Sequence, residues 1–311
     1  MSIIKGMSEA QITALTTKQI EDLSQNDFKA MSAKQISALS SSQIAAIETR
    51  DLVVLNASQI AAFDASALSD GLLTYQAEAL TVSQVKALKV GQLNSLSSEQ
   101  IVALGNDVAA LTAKQIKDLS TDVIVAFTSS QLNAFNATQI KALDSAQIQA
   151  IETADIAKLG STQIAALSAA QLQALSSTQL NAMGTDQIQA MTARQVGSLS
   201  TDQIGNLTTA NIQALTSTQV KGLTAAQLGS LSSGQIAALD TEDVGAMTVT
   251  QIRGLTTDGV AALTTGQVGA LSAAQVKALS TEQIQAIETA DIAQLGSTQI
   301  AALSAAQLQA L

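Results

Sequence analysis

An eight-residue motif repeats from Met7 to Leu311, and it constrains this chain more than anything else in it. Clear copies begin Leu15-Thr16-Thr17-Lys18-Gln19-Ile20 and Leu303-Ser304-Ala305-Ala306-Gln307-Leu308. Alignment gives 38 units, two of them off-length. A short fixed period means one small structural unit stacked many times, with each copy leaning on its neighbours.

Counting starts at the first large apolar residue. Position one is Leu, Met, Ile or Phe throughout, as in Met7, Leu15, Leu23 and Met31. Position six is aliphatic or Phe in every unit but one, where Ala77 stands. Position two is mostly Ser or Thr, and position eight is usually Ala, with Gly and Ser the commonest alternatives. Position five is Gln in 28 of the 38 units and Asp in six, namely Asp27, Asp51, Asp107, Asp155, Asp243 and Asp291. Charge gathers at positions four and seven, as in Lys18, Lys114, Lys117 and Glu282.

Ser or Thr at two with Gln at five is the spacing of a capping box, so a helix is predicted to start inside each octad. Position six and the next position one are then three apart on one face, with charge roughly opposite. One continuous helix fails, because eight residues advance about 800° and the apolar stripe would drift about 80° per unit. A β-solenoid is the alternative, but apolar spacings of five and three break the period-two rule of strands. The expected fold is therefore all-α: a solenoid of very short helices, bent near the Leu-Ser/Thr junction, its axis lined by positions one and six. Gln at five has two candidate roles, partner in the cap or neutral pairing along the axis.

The sequence predicts an N-terminal leader over residues 1–6 and a continuous octapeptide solenoid over 7–311. Its off-length units are 63–71, with nine residues, and 104–110, with seven. Gly71 and Gly105 suit these as bulges in corners, with kinks or docking points as the functional alternative. Tyr75, at an exposed-type position beside the small Ala77, reads as a local packing repair ahead of a binding anchor. The segment Gln147–Leu175 recurs almost unchanged at Gln283–Leu311, seventeen octads further on, which points to duplication of a block. The sequence stops on the first residue of a new octad, Leu311, with no polar unit to close it, which predicts a longer array.

The octad resembles the long ALTTxQ-type repeat tracts of very large bacterial surface proteins of the adhesin-like and RTX-like kind. That resemblance implies export, a cell-surface or extracellular location, and a stalk or spacer role. The glycine-aspartate nonapeptide that binds calcium in RTX proteins is absent, so no Ca²⁺ site carries over. The octad is also similar to the opening helix of transcription-activator-like effector repeats, but the proline, the second helix and the base-reading loop are missing.

With no Cys and no His, the chain lacks the thiolate and imidazole on which most nucleophilic, acid-base and zinc chemistry depends. The formal charge of −10 opposes nucleic acid and anionic membranes. No apolar run approaches the roughly 18–20 residues of a membrane helix, and Met1–Gly6 has no basic-then-apolar secretion signal. The location thus rests on the resemblance, with a cytoplasmic one left open. Glu152 with Asp155, and Glu288 with Asp291, read as solvated capping carboxylates. No catalytic, cofactor-binding or metal-binding residue is assigned, and no enzyme is expected.

The function expected is a spacer, stalk or scaffold of a large surface or secreted protein. Self-association through solenoid ends into head-to-tail filaments is a second reading. A repetitive ligand- or ice-binding face of Ser/Thr rows is a third, weakened because Glu48, Asp64, Lys89, Asp144, Glu152, Asp240 and Gly296 interrupt the rows.

Overall fold

Each octad folds as the cap arithmetic requires. Position two takes an extended conformation, as at Thr16 (φ −73°, ψ 159°), and its hydroxyl accepts the N–H of position five. The position-five Gln reaches back with Oε1 to the N–H of position two, closing the capping box. After four to seven helical residues the next position one turns extended again, as at Leu143 (φ −61°, ψ 135°), and ends the helix.

The computed structural model describes residues 3–311, which form 37 short α-helices, from α1 (Glu9–Thr13) to α37 (Ala305–Ala310), and two 3₁₀ segments, Ile4–Gly6 and Gly105–Ala110. No strand occurs among the described residues, so the β-solenoid alternative falls. Period-two alternation is absent from the octad, and the capping box re-nucleates a helix instead.

The chain divides into two compact units, one ending at Leu159 and one beginning at Gly160. In the first, α6 (Thr49–Leu52) packs on α9 (Thr74–Ala79), α9 on α12 (Ser98–Ala103), and α12 on α14 (Thr121–Ala126). In the second, α23 (Ala193–Ser198) packs on α26 (Ser217–Gly222), α26 on α29 (Thr241–Ala246), and α29 on α32 (Thr265–Ala270). Every partner lies three octads along. Each unit is thus a coil with three octads per turn and three helical faces.

Positions one and six fill the interior of each coil. Ile20, Phe28 and Ile36 in the first unit, and Val196, Ile204 and Ile212 in the second, are fully buried. Ile4, in the segment set apart as a leader, is equally buried, and its carbonyl accepts from Gln35 Nε2 at 3.0 Å. The coil therefore already includes Ile4. Position eight explains its small residues by close approach. A Cβ on Gly71 would lie 2.3 Å from the Ser41 carbonyl oxygen one turn away, and one on Gly222 would lie 2.4 Å from that of Ala193.

The off-length units are absorbed inside helices, not as corner bulges. The nine-residue unit lengthens its helix, α8 (Ala65–Gly71), to seven residues. The seven-residue unit becomes the 3₁₀ segment Gly105–Ala110, whose larger rise spans the same length with fewer residues. Gly105 has φ 57°, the one positive φ among the described residues, so its glycine is a backbone requirement. Gly71 is helical and is needed for packing.

Candidate functional site

The most repeated arrangement of polar groups is the position-five glutamine, which does more than cap. Where position one breaks the helix, its carbonyl points into the coil with no helical N–H to receive. The Gln one turn later supplies the donor. Gln43 Nε2 donates to the Ile12 and Leu15 carbonyls, both at 2.8 Å. Gln251 Nε2 does the same to Val220 and Leu223, both at 2.8 Å. The recurring offsets of 31 and 28 residues reach position six and position one of the turn beneath. One amide thus fixes its own helix start and ties two turns together.

Of the two roles read from sequence, the cap is present, and pairing of Gln with Gln is replaced by amide-to-backbone bonding. The reach back to the cap N–H persists where position two has no hydroxyl, at Leu73 (2.8 Å), Lys89 (2.7 Å) and Gly160 (2.8 Å). Gln11 and Gln19, in the first turn, are exposed, whereas Gln76 is fully buried. A buried, fully bonded amide stabilises, and the same group unpaired would cost about 1–3 kcal/mol.

Five of the six position-five aspartates keep the burial and lose the amide donor; Asp107, in the 3₁₀ segment, is half-buried. Asp155 and Asp291 are 9 % and 7 % exposed, which corrects their reading as solvated groups; only Glu152 and Glu288 face solvent, as helix caps without a side-chain cap bond. The physical reason is register: beyond the first turn, position five packs against the turn beneath it. Hydroxyls from the turn beneath answer some of these carboxylates. Ser129 Oγ donates to Asp155 Oδ1, and Ser217 Oγ donates to Asp243 Oδ1 at 2.6 Å. The N–H of Ile3 donates to Asp27 Oδ1 at 3.0 Å.

Two carboxylate oxygens are buried without a hydrogen bond, Asp51 Oδ2, which has the Arg50 guanidinium 3.6 Å away, and Asp243 Oδ2. Burial pushes both carboxyls above the ordinary range, against the pull of the Arg50 guanidinium at Asp51 and of the Ser217 hydroxyl at Asp243. Neighbouring Glu48 raises the first further, and Asp240 and Glu242 the second. Asp64 is the contrast: the Ala67 N–H first, then the Ser66 hydroxyl, hold it below the usual range at an exposed helix start. Asn211 shows that a shorter amide suffices, since its Nδ2 donates to the Met183 carbonyl at 3.1 Å.

Asp243 also lines an open groove of about 460 Å³ with Gln189, Gln213, Leu215 and Asp240. Among the described residues no group of three or more His, Cys, Asp or Glu side chains is arranged to hold a metal ion, and no helix is long and apolar enough to cross a membrane. Hydroxyls at position two are engaged as caps, so they do not form a free row. Tyr75 is 54 % exposed and Ala77 is buried, so the ring stands outside the core and does not replace the missing aliphatic side chain.

Sequence alone does not reveal the bridging glutamine, because its partner carbonyls belong to octads a full turn earlier. A signal existed: each octad leaves a carbonyl at the bend, and Gln is the one side chain at a fixed position with spare N–H donors.

Comparison with known proteins bears on the same repeat. Residues 148–185, 179–209, 199–233, 208–241, 236–273 and 284–311 match the ALTTAQ repeat. No curated protein matches the chain. Among solved structures, the leucine-rich repeat-containing protein LegL7 from Legionella pneumophila aligns over 90 % of this chain and 79 % of that one, at 13 % identity. The TM-score of 0.15 is too low for a shared fold.

Proposed function

We propose that this array, which matches the ALTTAQ repeat over residues 148–273 and 284–311, is a structural repeat module that serves as a spacer or scaffold in a large bacterial surface or secreted protein. The observation that carries this reading is the amide bridge. Each turn is bonded to the turn beneath by the amide that most octads carry at position five, so octads can be added or removed in threes without a new kind of contact. Length is then the adjustable property, and reactive side chains are not required for it. The surface setting is supported by the octad's resemblance to repeat tracts of such proteins.

Small-angle scattering on the chain and on variants with three octads added or removed tests the spacer role. Each added turn should lengthen the maximum dimension by about one interhelical spacing, ~8–10 Å. A dimension that does not grow with octad number would overturn the reading. Protease treatment of intact host cells reads the setting: resistance equal to that of cytoplasmic proteins would exclude the surface.

A further inference from the structure

Position seven faces solvent, and in 38 octads it carries a large aliphatic residue only at Val53, Val102 and Val125. These three lie in or directly after α6, α12 and α14, which stack in the first unit with α9 between α6 and α12. In α9 position seven is Glu78, but Tyr75, one helical turn earlier, is exposed in its place. Four successive turns of one face therefore each present a large apolar side chain: Val53 at 37 % exposure, Tyr75 at 54 %, Val102 at 44 % and Val125 at 48 %. Single exposed apolar residues need no explanation; one on each of four successive stacked turns does.

We propose that this column is a docking surface for a basic amphipathic helix of a partner protein. Charge selects the partner. Glu48, Glu78, Glu99 and Asp122 are exposed on the same four helices or their caps. The one base there, Arg50, is already paired with Glu48 at 2.6 Å. Such a face attracts Lys and Arg and repels nucleic acid, anionic lipid and a second copy of this acidic chain. Four anchors also fall far short of the roughly 20–30 residues a side that a stable dimer uses. Spacing selects the helix: stacked helices lie ~8–10 Å apart, and a partner helix advances about 10.5 Å in seven residues. Apolar residues near i, i+7 and i+14 would meet successive turns, with basic residues on their flanks.

The inference holds whether or not the array as a whole is a spacer. Tyr75 makes it measurable, because the chain has one Tyr and no Trp, so its tyrosine emission comes from this face. The probe is a synthetic leucine-lysine amphipathic peptide, three heptads long and without aromatics, titrated onto the full chain. Saturable change in Tyr75 emission is expected, at least tenfold weaker in the double variant V102S/V125S and unaffected by V82S, on another face. Added salt should weaken binding, and less steeply in E99Q/D122N. All these sites are exposed, and circular dichroism checks that the variants fold. No saturable binding, or equal binding to V102S/V125S, would overturn the proposal. So would binding to phosphatidylglycerol vesicles, or sedimentation showing self-association that V102S/V125S abolishes, because the occupant would then be lipid or a second copy.

Discussion

Gln219 shows what one residue type contributes. Its Oε1 accepts the Thr216 N–H at 2.9 Å, and its Nε2 donates to the Ile188 and Met191 carbonyls, both at 2.7 Å. Gln219→Ala removes these three and the Thr216 hydroxyl bond to Oε1, and leaves the Met191 carbonyl without that donor, so a loss of about 3 kcal/mol is expected. Gln11→Ala removes only the contacts with the Ser8 N–H and hydroxyl at an exposed cap and should lose about 1 kcal/mol. Urea unfolding of the two variants separates cap from bridge; equal losses would mean that the bridge contributes nothing. The position-five aspartates give the pH counterpart. Asp243 has a raised carboxyl pKa in the folded chain, so the folded state holds its proton more tightly than the unfolded one. The resulting penalty is full above the folded value, shrinks as pH falls through it, and is gone below the ordinary 3.8. Asp243→Asn, which supplies a donor as Asn211 does and keeps an acceptor for Ser217, should stabilise by about 1–2 kcal/mol at pH 7. That advantage should vanish near pH 3; an advantage constant with pH would refute the assignment.

At the scale of the element, a helix of four to seven residues has no stability of its own, because nucleation costs more than so few bonds return. The capping box supplies the start, and the neighbouring turn supplies the rest. Tolerance to change therefore depends on which turn presses on a residue. Gly71→Ala places a methyl group 2.3 Å from the Ser41 carbonyl oxygen, and backbone must move, at about 2–3 kcal/mol. Gly105→Ala meets nothing within 4 Å but must hold φ near 57°, at about 1–2 kcal/mol. Gly105→Asn should recover part of that loss, since Asn tolerates the left-handed region, and Gly71→Asn should recover none. Equilibrium denaturation reads all four substitutions.

At the scale of the molecule, the bonding is nearest-neighbour: octads answer to octads three and four units away and to little else. Stability in such an array spreads along the chain instead of residing in one core. Hydrogen exchange of Gln219→Ala should therefore show faster amides from about residue 188 to 222 in the second unit, with the first unit unchanged. A uniform rise over both units would show all-or-none coupling instead.

Much of this was legible in the octad. The hydroxyl at two, the amide at five and the aliphatic side chains at one and six dictate a short capped helix with a buried stripe, because those effects act within a single repeat. The number of octads per turn, the burial of position five, the need for a small residue at eight and the gathering of Val53, Tyr75, Val102 and Val125 on one face were decided only by the coil. Each depends on a contact three or four octads away, and a single octad carries no mark of how many copies close a turn. That is fixed by the angle at each bend and by which carbonyls the Gln amides can reach.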